Sequence, residues 1–296
     1  MNIICIGMNR FSYNNIRALS FLNANNIEYE YINYNDYLKF SKEKFKDKQL
    51  LILDDNIPIK LYEIGIIEPD HAGVYGKAFH KIKKYNPVFF NNILNHFRCY
   101  NKWHVFNMLA GNNLPVLPSI CISKKDNLKN NTDIFRIINP PFFVRETECF
   151  SSFSPNDKLD FISTGIEDLH YFYDEHLKDT WDLFLVQEYI PHDYVIEAHC
   201  LFDDVRFTIT YKDKSDPGGI LDASTSPYIN TTEIYDRTVN DIKEKLKLNC
   251  FSVSFLKDKI IKLKAPMCFE KVDSNYNTDS INSLLRYILN GSDRNK

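Results

Sequence analysis

Glycine is scarce in this chain. There are 9 in 296 residues and none between Gly111 and Gly165. A loop that folds backbone amides around phosphate favours glycine for its missing Cβ, so closure of that stretch in the usual way cannot be assumed. No GxGxxG follows the first apolar run, which continues GMNRFSYNN, and dinucleotide binding loses its main support. P-loop, HExxH and Ser/His/Asp elbow motifs are also absent. The seven cysteines (Cys5, Cys99, Cys121, Cys149, Cys200, Cys250, Cys268) form no CxxC pair. Their odd number and wide spread favour reduced cytosolic thiols over disulfides or a zinc site. No apolar run approaches the roughly 18 residues that cross a membrane, and MNIICIGMNRF reads as a first strand rather than a secretory leader. A net charge of −3 gives no basic field for nucleic acid. Internal repeats and low-complexity linkers are missing too.

What is present suits an ordinary globular chain, 44% hydrophobic and 25% charged, long enough for two or three compact units. Residues 2–7 (NIICIG) read as a strand, and 14–25 as a helix with Ile16, Leu19, Phe21 and Leu22 at near-helical spacing. Residues 28–33 alternate as a strand, 36–46 read as a helix, and 50–53 as a buried strand. This β-α-β-α-β order predicts an α/β N-terminal domain over residues 1–85 with a small parallel sheet. Beyond it the pattern changes. A strand at 88–90 and one long helix from Ile93 to Leu109 end at Gly111, followed by Pro115 and Pro118. Further on, 166–177 reads as a helix, and 194–202 with 205–211 as a hairpin turning at Asp203-Asp204. Residues 231–246 read as a helix capped by Thr231 or Thr232, with Ile234, Val239, Ile242 and Leu246 inward. A second hairpin, 250–256 with 260–265, precedes a closing helix at 278–289.

The most informative spacing joins two short apolar strands. Phe142-Phe143-Val144 ends at Arg145, and Phe184-Leu185-Val186 ends in Gln187-Glu188-Tyr189-Ile190. This layout resembles the nucleotide-clasping core of the ATP-grasp superfamily, the fold of glutathione synthetase-like and RimK-like carboxylate–amine ligases. The resemblance covers residues 86–290 and implies an α+β ATP-grasp-like domain over 86–296, with a subdomain hinge near 184–190. It implies ATP as cofactor, magnesium, and a peptide or amino acid as substrate. A protein partner or homo-oligomer stays open; nucleic acid and membrane are not expected partners.

By this resemblance, Gln187, Glu188, Tyr189 and Ile190 hold adenine, Glu197 takes the ribose hydroxyls, and Lys102 reaches the phosphates. Arg145 replaces the family's lysine in "PVVVK", keeping charge but with a planar, bidentate head. The following ETECFSSFS has no glycine, and Ser151 and Ser152 are its candidate hydroxyl donors. "QEYI-x-H" also occurs in inositol polyphosphate kinases of this fold, which places His192 near the hinge. The metal ligands do not match: Ser254 stands for the family's Asp in "G-V-D", and Lys262 and Lys264 fall near its "E-x-N". Magnesium needs hard oxygen ligands, which a charged lysine cannot supply. Glu270 and Asp273 are the acids available if the alignment slips. Two readings follow: a nucleotide-binding pseudoenzyme or partner subunit, or an active ligase working through an acyl phosphate. A kinase is a minor third.

Overall fold

The computed structural model describes residues 3–7, 10–33, 44, 49–52, 95, 98–99, 101–123, 136–146, 161–172, 174–175, 183–212, 222–228, 233–265 and 269–291. All of 56–85, the strand at 88–90, the ETECFSSFS segment after Glu146 and the expected helix at 36–46 apart from residue 44 lie outside them.

The described N-terminal strands and first helix follow the patterning. β1 (Ile3–Gly7), α1 (Tyr13–Ala24), β2 (Tyr29–Asn33) and β3 (Gln49–Ile52) build a parallel sheet of order β2-β1-β3. Ser12 caps α1, and Ala18, Leu19, Phe21 and Leu22 are buried, whereas Ile16 is exposed.

The expected single helix from Ile93 is interrupted. Asn101 leaves helical geometry (φ −123°, ψ 122°) because its side chain accepts from the N–H groups of Trp103 and His104, capping α2 (Lys102–Gly111). Next come β4 (Ser119–Ser123), β5 (Phe142–Glu146), β6 (Phe161–Ser163), α3 (Ile166–Phe172) and β7 (Leu183–Glu188). Their antiparallel sheet has the order β4-β7-β5-β6, so the two strands singled out in the sequence are neighbours.

β8 (Tyr194–Leu201), β9 (Asp204–Lys212), β10 (Asp222–Pro227), α4 (Glu233–Leu246), β11 (Cys250–Leu256) and β12 (Lys259–Lys264) follow. The five strands order as β10-β9-β8-β11-β12. The first hairpin turns one residue earlier than expected, at Phe202-Asp203, since Leu201 pairs with Asp204. A two-residue hairpin loop favours positive φ, and Phe202 adopts 56° while its N–H bonds to the Asn249 carbonyl. In α4 the inward residues are Tyr235, Thr238, Val239, Ile242 and Leu246. Ile234 is 55% exposed, one residue off that face. α5 (Phe269–Tyr276) and α6 (Ser280–Gly291) end the chain.

Three cores result. One face of the five-stranded sheet buries Ala198, Phe207, Phe251, Val253 and Phe255 against α2 and α4. One face of the four-stranded sheet buries Phe142, Val144, Phe184 and Val186 against Leu169 and Phe172. β1 and α1 pack against α5 and α6. Each fully buried Phe or Leu contributes about 1.5–3 kcal/mol.

Candidate functional site

Among the described residues, two stretches link the antiparallel sheets. One is the 189–193 connection from β7 to β8. The other is the stretch before β4, which is stitched to β12 by Leu117 N–H to Ile260 O at 3.1 Å and Ile260 N–H to Pro115 O at 2.7 Å. The candidate residues flank these crossings.

Side chains alternate along a strand, so β5 turns Phe142 and Val144 into the core and Phe143 and Arg145 to the opposite face. The register sets Gln187 beside Phe143 and Leu185 beside Arg145 on β7, and Ser119 and Cys121 beyond them on β4. The Arg145 guanidinium lies 5.2 Å from the Phe143 ring centroid. Its Nε is buried with no hydrogen-bond partner among the described residues. Leaving such a donor unsatisfied costs about 1–3 kcal/mol, and an incoming anion would recover it.

Gln187, 4% exposed, donates from Nε2 to Ser119 Oγ at 2.7 Å, and that hydroxyl donates to Leu117 O at 2.9 Å. The serine has a single proton and gives it to a carbonyl. The glutamine atom facing it is therefore the amide nitrogen, which leaves Oε1 as an acceptor.

The hinge backbone is sorted in the same way. Tyr189 N–H donates to Pro141 O at 2.8 Å, so the backbone groups of Glu188 and Ile190 point to the other edge, toward β4. Because Ser119 pairs with Gln187, the residue next to Glu188 is Pro118. Proline has no N–H to give the Glu188 carbonyl. His192 holds Ile190 O at 2.8 Å through Nδ1, which must carry the proton. Its Nε2 is buried without a partner among the described residues.

The other face of the five-stranded sheet carries Leu201 and Cys250, which join the core around α1, and beside them two polar rows. Thr208, Glu197, Ser254 and Lys262 form one cross-strand row, and Arg206, His199, Ser252 and Lys264 the next. His199 is 1% exposed and bridges Ser252 Oγ and Thr208 Oγ1, both at 3.0 Å. Arg206 is paired with Asp204 at 2.7 Å. Ser254 therefore sits between Glu197 and Lys262, with one carboxylate in its row. These residues do not fit a magnesium site. An ammonium about 4 Å from a divalent cation costs about 8 kcal/mol at an effective dielectric near 20. Among the described residues no three His, Cys, Asp or Glu side chains gather to hold a metal.

The other candidates divide. Lys102, half-buried, opens α2, which packs beside β12. Ser151 and Ser152 lie outside the described residues. Glu270 is in α5. Asp273 is committed elsewhere, accepting from Tyr13 Oη at 2.8 Å, Thr278 Oγ1 at 3.0 Å and Ser280 N–H at 2.9 Å. That bond set pins α1 to the C-terminal helices and leaves no role for Asp273 in the cleft. Sequence reasoning did not single out Phe143, Ser119 or Pro118, which the register sets beside the candidate residues. The polar–apolar alternation of Ser-Ile-Cys-Ile-Ser is the signal that marks β4 and its polar face.

No protein-family model matches the sequence, and no curated protein matches it either. Solved structures do match in shape. A RimK domain ATP-grasp protein from Sphaerobacter thermophilus superposes with a TM-score of 0.66 at 10% identity, covering 98% of this chain and 100% of that one. The macrocyclase MdnC, bound with precursor peptide MdnA from Microcystis aeruginosa, gives 0.64 at 11% identity, with 98% and 100% covered. D-alanine–D-alanine ligase from Bacillus anthracis complexed with ATP gives 0.61 at 14%, with both chains fully covered. These whole-length superpositions show that the chain has the fold of these ATP-grasp proteins.

Proposed function

We propose that this chain binds an adenine nucleotide between its two antiparallel sheets and acts as a pseudoenzyme or partner subunit rather than a ligase. The observation that carries this reading is the buried Nε of Arg145, which has no hydrogen-bond partner among the described residues, on the same sheet face as Phe143 and Gln187. In it, Glu188 C=O and Ile190 N–H pair with the base edge, and Gln187 Oε1 accepts from the exocyclic amine. Arg145 and Lys102 face the phosphates, Ser151 and Ser152 add hydroxyls, and Glu197 takes the ribose. The domain division at residue 85 and the hinge near 184–190 belong to the same proposal. ATP in the Bacillus anthracis ligase and the peptide in the macrocyclase support a nucleotide and a peptide or amino acid as ligands.

Loss of turnover follows from the metal position. Lysine offers charge without the Lewis acidity that activates a transferring phosphoryl group. The second reading, an active carboxylate–amine ligase, is favoured by the whole-length likeness to ligases. Calorimetric titration of ATP and ADP against wild type and Arg145→Ala tests the site. We expect affinity to fall about tenfold to hundredfold, the worth of a charge-assisted bond. Unchanged affinity refutes the phosphate assignment. ADP release on adding amino acids or peptides with Mg²⁺ selects the ligase reading.

A further inference from the structure

We infer that Phe143 is a positioning residue for Arg145. Its ring holds the guanidinium on the ligand-side face without neutralising it, so Phe143 governs affinity for the phosphates and not for the base. The inference rests on the nucleotide-site reading above. Strand alternation puts Phe143 and Arg145 on one face of β5, both half-buried, with the guanidinium 5.2 Å from the ring centroid. The neighbour of Arg145 on β7 is apolar Leu185, 2% exposed, and the pairing of β6 with β5 stops at Val144. Among the described residues Arg145 has no ion pair, and its Nε has no acceptor. The ring is what holds it there.

The kind of contact decides what the arginine can do. A carboxylate would hold the guanidinium and cancel its charge. An aromatic face attracts it through the ring quadrupole and consumes none of its N–H donors. The cation therefore keeps both its charge and its donors for an incoming phosphate, and the ring contact persists when the anion arrives. Placement matters for arginine because its planar fork takes phosphate bidentately only in the right orientation. Loss of such a ring contact is worth about twofold to thirtyfold in affinity, the upper end applying where water is excluded.

The experiment compares ADP with adenosine by calorimetric titration into the full chain. Phe143→Leu should weaken ADP binding by about threefold to thirtyfold and leave adenosine within about twofold of wild type. Phe143→Tyr, which keeps the ring, should bind ADP as wild type does. In an Arg145→Ala background, Phe143→Leu should cost nothing further, because the pair acts as one unit. Circular dichroism identifies a leucine variant that fails to fold. A trifluorinated phenylalanine at position 143 then supplies the comparison, since it keeps the ring's shape and weakens its quadrupole; ADP affinity should fall and adenosine affinity hold. ADP affinity unchanged by these replacements overturns the inference while leaving the nucleotide site intact. Adenosine affinity that falls as far as that of ADP overturns it equally, because Phe143 then serves the base. Wild type that binds neither ligand removes the site reading as well.

Discussion

Ser119→Ala gives a measurable test of how the hinge reads a base. The serine hydroxyl is the middle link from Gln187 Nε2 (2.7 Å) to Leu117 O (2.9 Å), and both side chains are buried. Its removal leaves a buried amide donor unsatisfied, at about 1–3 kcal/mol of folding stability. It also releases the amide to rotate. On the proposed nucleotide reading, the fixed Oε1 is an acceptor that would match adenine's exocyclic amine and mismatch guanine's carbonyl. Such a mismatch costs about 1–3 kcal/mol, or about fivefold to over a hundredfold in affinity. Ser119→Ala should therefore shrink the ratio of GTP to ATP dissociation constants toward one, chiefly by improving GTP binding. Fluorescence competition with a labelled nucleotide measures that ratio, and a urea titration measures the stability loss. If Ser119→Ala destabilises the protein yet leaves the ratio intact, and Gln187→Met does the same, the amide does not face the base.

Asp273→Ala should destabilise the chain by about 3 kcal/mol or more, because it strands Tyr13 Oη, Thr278 Oγ1 and Ser280 N–H; a loss below about 1 kcal/mol in urea refutes the pinning role. Burial, followed by the bond to Asp273, pushes the Tyr13 phenol up from 10.0 to about 12. Above pH 10 the unfolded chain releases a proton that the folded chain keeps, so this stabilisation is complete below pH 10 and lost as pH approaches 12. Tyr13→Phe should flatten the fall in thermal midpoint across that window, and an unchanged slope counts against it. Ser254→Asp with Lys262→Glu and Lys264→Asn should create magnesium-dependent nucleotide affinity. Wild type consuming ATP with Mg²⁺ as fast as the ligases would overturn the proposed loss of turnover.

Much of the fold was legible because the residues that set it act locally. Apolar alternation in Phe142–Arg145 and Phe184–Glu188 marks two strands whatever their partners, and the 3.6-residue period of Tyr235, Val239, Ile242 and Leu246 marks a helix. Errors arose where one side chain outweighed the pattern. Asn101 satisfied two N–H groups and broke the expected long helix. Phe202 took the left-handed turn position that the sequence suggested for its neighbours. Ile234 is apolar but lies one residue off the buried face.

The sequence alone determined the residue types available to the site: an arginine in place of the lysine, no glycine after it, and a serine with two lysines where the fold family has metal ligands. Charge and donor chemistry travel with the side chain, so these identities are fixed before any folding. Only the tertiary structure decided what each residue faces. Strand register, a long-range property set by pairing across the sheet, placed Pro118 beside Glu188, Ser119 beside Gln187 and Lys262 beside Ser254. A shift of one residue would turn every one of those side chains to the opposite face, and no local pattern in the chain encodes that choice.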